Sequence, residues 1–502
     1  MVRAATLGGV AAVFAAVVIL RWQEGFSNVD DYLYAAQTRA YLDALPDPGA
    51  LIDAWRANGS NAPALPTLAL PLAAVGSSPH WLVVVQLIPL LVLVASVRSL
   101  LGSLGVEPRA AWIGAGGIGL LAPVLGYAAM YHFGLAAAAC AALAFAAYAR
   151  SDRLARRGPA LVVGLALGVL AVTRVMAPVY VLAVAAPIAV DVLFGLDRAR
   201  LANAGLAVLA AAIVAAPWWA VSGGTAWDYL VSAGYGDTIF THEASRLEIA
   251  RERLDWTADE SGWLLAVPLA LLVGYAGWVV WRRVEGWRLL ACLLGSCAVG
   301  MAVLATSSNA GTAFALPFVV LAACAAVAVL HHLAPALQRV AMAGAAAIVV
   351  VPALALVGIV PDASVAGQPL WHRGIPAWEQ GRTALVCEAC GLPDSDALNR
   401  DVLRVIGDRP TLMVRADALL NPNGLRYLGP AQISAPAVPG TVSERDLARA
   451  RFVIAGATLA PYIPPVDDKQ LSEALRAGGF RPVLRRDLAA FNTIVVWSRS
   501  GR

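Results

Sequence analysis

Apolar and polar positions along this chain segregate into long blocks rather than alternating residue by residue. Eleven predominantly apolar stretches lie near 4–20, 81–101, 110–125, 134–149, 159–173, 176–194, 202–219, 262–281, 288–306, 313–330 and 340–360. A helix needs about 20 apolar residues to cross a bilayer core, where its backbone must satisfy its own hydrogen bonds. The pattern therefore predicts a polytopic α-helical membrane protein with about 11 transmembrane helices. Only Arg174 and its neighbours separate 159–173 from 176–194. The first stretch follows Arg3 as a signal peptide would, but it ends Ile19-Leu20-Arg21-Trp22, with no small-residue cleavage site. It reads as an uncleaved anchor.

Composition agrees with that reading. The 502 residues are 59% hydrophobic and 14% charged, with a mean hydropathy of +0.69. Soluble domains carry about 25% charged residues. The net charge of +4 is diffuse and gives no nucleic-acid signal. Arginines nevertheless fall on one side of the spans: Arg98 and Arg109, then Arg150, Arg153, Arg156 and Arg157, then Arg198 and Arg200, Arg282, Arg283 and Arg288, and Arg339. The short loops near 126–133 and 307–312 carry neither Arg nor Lys. The positive-inside rule places the N-terminus in the cytoplasm, and an odd number of spans leaves the tail outside. One lysine, Lys469, against 36 arginines, with abundant Ala and Gly, suggests a high-GC bacterial genome and hence a bacterial plasma membrane.

Residues 1–360 thus form a transmembrane domain with two long outer loops, 21–80 and 220–261, and 361–502 form a small extracytoplasmic α/β domain. In the first loop, Ser27 and Asn28 precede an expected helix that runs to Leu45 and stops at Pro46 and Pro48; a second short helix is expected at Leu51–Ala57. In the tail, strands are expected at Ala384–Cys387, Thr411–Val414, Arg451–Ile454 and Thr493–Trp497, and a helix at Asp468–Ala477 before Gly478-Gly479. Cys140, Cys292, Cys297 and Cys324 lie in apolar spans as small hydrophobes. Cys387 and Cys390 read as a local disulfide rather than a zinc site, because no second Cys/His pair sits at metal spacing.

Chemistry-bearing residues concentrate in the outer loops. Asp30-Asp31 stand at a helix start, where free N–H groups and the helix dipole keep a carboxylate ionised. Such a carboxylate can accept a proton from a hydroxyl, or it can simply cap the helix. Arg174 at a span end is either an interfacial anchor or a functional charge. Tyr131-His132, Tyr235 and His242-Glu243 are further polar candidates. Trp218, Trp219 and Trp227 fit an aromatic belt, with sugar stacking as the other reading. No Walker A, G-x-S-x-G or H-E-x-x-H pattern occurs.

A first span, an outer loop opening Asp30-Asp31-Tyr32-Leu33-Tyr34, and a Pro-containing, Leu-rich entry to the second span together resemble the C-superfamily membrane glycosyltransferases. The nearest branch is that of the dolichyl-phosphate-mannose protein mannosyltransferases and the lipid A aminoarabinose transferases. Asn61-Ala62-Pro63-Ala64-Leu65 resembles that family's H-P-P-L segment, without its histidine and first proline. Gly164–Arg174 resembles a glycine-patterned span ending in a basic residue, and Trp218–Gly236 a later outer loop. The resemblance implies transfer of a sugar from a polyprenyl-phosphate donor to a cell-envelope glycan, lipid or protein on the outer face. It implies Asp30 as base, with Asp31 supporting it or contacting a divalent metal or the sugar. It further implies Arg174 and Tyr34 as contacts of the donor phosphate and lipid, with His132, Tyr235 and His242 near substrate. The rival readings are a transporter or flippase of lipid-linked sugars, which would call for inverted repeats and midplane polar residues, and a non-catalytic assembly protein of the same fold.

Overall fold

The computed structural model describes residues 2–24, 29–59, 61–76, 78–195, 197–235, 246–307, 314–333, 335–356, 359–360, 363–365, 368–371, 395–414, 420, 422–434, 442–457, 468–489 and 492–499. The chain divides into two compact units. The first comprises Met1–Val18, Gln37–Gly76 and Leu82–Pro376; the second comprises Ile19–Ala36, Ser77–Trp81 and Ala377–Arg502.

In chain order the helices of the first unit begin with α1 (Val2–Glu24) and α2 (Val29–Ala44), whose ends nearest each other belong to the second unit. There follow α3 (Pro48–Ala57), α4 (Ala64–Ala73), α5 (Pro79–Leu82, of which Pro79–Trp81 belong to the second unit), α6 (Leu87–Ser103), α7 (Pro108–Gly119), α8 (Ala122–Ala128), α9 (Gly134–Arg150), α10 (Arg157–Leu170), α11 (Ala177–Leu193) and α12 (Arg198–Tyr235). Then come α13 (Arg246–Ser261), α14 (Trp263–Trp281), α15 (Trp287–Thr306), α16 (Leu316–Val329) and α17 (Pro335–Leu356). Each of the eleven apolar stretches holds helix among the described residues. Among the described residues, six helical segments are long and apolar enough to cross a membrane, or seven if α7 and α8, bent by 61°, count as one span. Pro123 in the first turn of α8 accounts for that break, since it cannot donate to α7. The chain is a multi-pass membrane protein. α9, α10, α11 and α16 are apolar but only 14 to 17 residues long.

Packing explains the glycines of α10. A Cβ at Gly164 would run into the Ala207 carbonyl of α12, and one at Gly168 would lie 2.8 Å from the Ala211 carbonyl oxygen. Their absence lets the two backbones touch, the usual device of helix pairs in lipid. α9 and α16 are buried along almost their whole length and form the centre, whereas α17 leaves most of its apolar surface open, as a lipid-facing helix does. At one end of the bundle Asp191 of α11 joins three elements. It accepts from Tyr148 Oη of α9 at 2.5 Å and from Arg153 Nε at 3.2 Å, and lies 3.6 Å from Arg288 of α15. Asp152, Arg153 and Leu154 reach this position through three successive left-handed residues, a conformation non-glycine residues adopt at some cost.

The first unit also carries a small hairpin of β1 (Ala363–Val365) and β2 (Gln368–Trp371). The second unit is built on α18 (Ser395–Ile406), β3 (Thr411–Met413), α19 (Pro422–Leu428), β4 (Ile433–Ser434), α20 (Glu444–Arg449), β5 (Phe452–Ala457), α21 (Asp468–Ala477), β6 (Phe480–Ala489) and β7 (Asn492–Arg499). The sheet order is β4-β3-β5-β7-β6; β3 runs parallel to β4 and β5, and β7 antiparallel to β5 and β6. Leu412, Val453, Leu471, Leu475, Phe480 and Trp497 fill its core. β6 was not expected from the sequence. It is an edge strand with Pro482 at a register shift, the place where a sheet tolerates proline. Helix α21 coincides with the expected helix. The expected strand Ala384–Cys387 and the pair Cys387 and Cys390 lie outside the described residues.

Candidate functional site

Several polar groups of the first unit surround the break between α10 and α11, residues 171–176. Arg174 stands in this break. Its guanidinium lies over Phe133, 4.1 Å from the ring centroid, and over Phe314 at 4.2 Å. Both rings are buried. Arg174 Nη1 is itself buried and has no hydrogen-bond partner among the described residues. A buried donor left unbonded costs about 1–3 kcal/mol, so the position is one where an incoming oxygen would be welcome. Arg253 of α13, 5% exposed, is a second cation here. It lies 6.0 Å from the Phe314 centroid and donates through Nη2 to the Ser307 carbonyl at 3.3 Å.

Residues between α1 and α5 hold this break in place. The backbone N–H of Ala64 donates to the Val172 carbonyl at 3.0 Å, with Ala62 and Leu65 buried on either side. The Asn61–Leu65 segment thus packs against this break. Gln37 donates to the Asn61 carbonyl at 2.9 Å and to Tyr41 Oη at 2.6 Å. Burial of the Tyr41 phenol pushes its pKa up to about 12, with the Gln37 bond acting weakly the other way. Thr38 Oγ1 and Tyr131 Oη share a hydrogen bond of 2.6 Å. On the far side, Trp219 Nε1 donates to the Ala171 carbonyl at 3.0 Å, and Ser222 Oγ to the Trp55 carbonyl at 3.1 Å. Trp218 is buried edge-on to Trp219 at 5.0 Å, while Trp227 is exposed.

His132 is fully buried at the turn before α9. Its Nδ1 accepts from the Gly134 N–H at 3.2 Å, and its carbonyl accepts from Gln86 Nε2 at 2.5 Å. Its ring lies 4.0 Å from that of Phe133. These contacts orient Phe133, and through it the Arg174 guanidinium.

The structure thus brings together Arg174, His132, Trp218, Trp219 and the Asn61–Leu65 segment among the residues singled out from the sequence. Asp31 and Tyr34 belong to the second unit, where both are buried. There Tyr32 packs against Tyr427 of α19 at 5.9 Å. The side chains of Asp30 and Tyr235, and all of His242, lie outside the described set. Arg253, Phe133, Phe314 and Gln37 were not singled out. Among the described residues, no three His, Cys, Asp or Glu side chains are grouped as metal ligands.

The fold is similar to that of proteins of known structure. The chain aligns with the crystal structure of ArnT from Cupriavidus metallidurans bound to undecaprenyl phosphate, with a TM-score of 0.60, 13% identity, and coverage of 97% of this chain and 98% of that one. The apo form of the same protein gives a TM-score of 0.56 at 15% identity. The Archaeoglobus fulgidus oligosaccharyltransferase tethered with an acceptor peptide gives 0.50 at 14% identity, covering 90% of this chain and 69% of that one. No protein-family model matches the sequence, and no curated protein matches it.

Proposed function

We infer that this chain is a membrane glycosyltransferase that takes a sugar from a polyprenyl-phosphate donor and passes it to a cell-envelope glycan, lipid or protein. The observation that carries this reading is the Arg174 guanidinium, gripped between Phe133 and Phe314 with a buried, unbonded Nη1 and a second cation, Arg253, across Phe314. The fold shared with a protein crystallised with undecaprenyl phosphate supports the same ligand chemistry. A charge among apolar spans is expensive unless it is paired or used, and a phosphate oxygen would complete Arg174.

In the proposed reaction an acceptor hydroxyl attacks the anomeric carbon. The bond from that carbon to the phosphate oxygen breaks, and its electron pair leaves with the polyprenyl phosphate. The hydroxyl proton passes to the Asp30 carboxylate. Arg174, held by the aromatic pair, stabilises the charge that grows on the departing phosphate, with Arg253 adding to the local positive potential. Asp31 supports Asp30 or contacts the sugar, and Tyr34, Tyr235 and His242 remain candidate substrate contacts. The reading places the N-terminus in the cytoplasm of a bacterial plasma membrane and residues 361–502 outside.

The test is incubation of the purified full-length protein with a panel of radiolabelled polyprenyl-phosphate sugars and envelope acceptors. Transfer of label with release of polyprenyl phosphate is the expected result. Movement of an intact lipid-linked sugar across vesicle bilayers, with no transfer, would favour the flippase reading instead.

A further inference from the structure

Away from the Arg174 site, two arginines from different helices meet over one indole. Arg3 lies in the first turn of α1, and its guanidinium carbon is 6.0 Å from the centroid of the Trp112 ring of α7. Arg98, in the last turns of α6, lies 5.6 Å from the same centroid. Neither forms an ion pair or a hydrogen bond to a side chain among the described residues, and Arg98 Nε is buried without any partner. Arg109, three residues before Trp112 on α7, brings a third positive charge to this end of the bundle. The neighbouring carboxylate, Glu107, is occupied: it caps α7 by accepting from the N–H groups of Arg109 and Ala110, each at 3.0 Å.

Two like charges on one ring repel each other. Cation–π contact with Trp112 offsets part of the cost of withdrawing each guanidinium from water, but it cancels no charge. What the arrangement lacks is an anion, and it sits where a span meets the membrane surface, with an indole suited to the headgroup level. We propose that Arg3, Arg98 and Trp112 form a binding site for the phosphate of an anionic phospholipid in the leaflet at this end of the spans. The occupant is a bilayer lipid because the partly buried Arg98 lies on an apolar helix, flanked by Val97 and Leu100 that face other protein and by lipid-exposed Ile113 of α7. The inference stands independently of the transferase reading.

The experiment is native mass spectrometry of the detergent-solubilised full-length protein titrated with phosphatidylglycerol, with phosphatidylcholine and inorganic phosphate in parallel arms. The wild type should retain one phosphatidylglycerol more tightly than any phosphatidylcholine, and inorganic phosphate should not displace it. Arg98→Gln and Arg3→Gln should each weaken that binding about fivefold, the usual effect of one basic residue at an anionic membrane surface. Arg339→Gln, at the start of α17, should leave it unchanged. Arg3 is exposed, so Arg3→Gln reports even if Arg98→Gln fails to fold. Equal retention of the two lipids, displacement by inorganic phosphate, or wild-type binding by Arg3→Gln would each overturn the proposal.

Discussion

Replacing Arg174 by Gln separates a structural role from a ligand role most cleanly. The substitution removes the charge and leaves a shorter, neutral polar side chain. On the side of the fold, it forfeits two cation–π contacts, at 4.1 and 4.2 Å, each worth about 0.5–2 kcal/mol. Against this, it abolishes the buried Nη1 that lacks a partner, relieving about 1–3 kcal/mol. These contributions oppose each other, so the net change in stability should lie within about 3 kcal/mol of zero. On the side of the ligand, a hydrogen bond to a charged group contributes about 1.5–3 kcal/mol, which corresponds to a change of about 10- to 150-fold. The contact exists in the ground state as well as the transition state, so KM for the donor should rise, and kcat should fall as the leaving phosphate loses its cation. The assay is steady-state transfer over a range of donor concentrations, paired with thermal unfolding with and without polyprenyl phosphate. Wild-type kcat/KM in a well-folded Arg174→Gln variant would refute the reasoning and return Arg174 to the role of interfacial anchor.

Asp30→Asn should fold normally, because Asn caps a helix about as well as Asp, and should lower kcat about 10²–10⁴-fold under saturating donor; unchanged turnover would transfer the base role to Asp31. A reporter enzyme fused after residue 360 should be active outside the cytoplasm and one inserted in 150–158 active inside, and signals from the same side would break the orientation derived from the arginines. In the second unit, Asp401 accepts from Arg486 at 3.1 Å and pairs with Arg404, and these contacts, the Arg486 hydrogen bond foremost, hold its carboxyl below the ordinary range. A lowered folded-state pKa gives stability that is present above the unfolded value, about 3.9, and lost as pH falls through the folded one. Thermal unfolding of Asp401→Asn should accordingly show a shallower loss of stability below about pH 4 than wild type, and parallel curves would remove Asp401 from the acid response.

Hydropathy made the bundle legible because burial in lipid imposes one rule on every span. It also found the break at Arg174, where a threonine and an arginine interrupt an apolar run. It did not find the ends of the helices, which are set by turns and close approaches such as Gly168 against Ala211. Arg253 was hidden for a different reason. It lies in Arg251-Glu252-Arg253-Leu254-Asp255, whose alternating charges read as a solvated face. Arg251 does behave that way, exposed beside Asp255 at 3.7 Å. Only tertiary packing singles out Arg253, by bringing Ser307 and Phe314 to it. Strand β6 was obscured by Pro482 and its several arginines, residues an edge strand accepts and a central strand does not.

The shortness of α10 bears on the membrane rather than on the protein. Fourteen residues of helix rise about 21 Å, against a hydrocarbon layer of about 30 Å. Leu161, Val162, Leu165 and Val169 on this helix are open to the surroundings, so lipid must meet that length. A bilayer yields more readily than a packed helix, at a cost of fractions of a kcal/mol per Å of mismatch. A bilayer spanned by α10 would have to compress its acyl chains there, drawing the headgroup plane toward the turn that carries Arg174. The elastic energy of such a dimple would reside in the lipids, and acyl-chain length would set its depth.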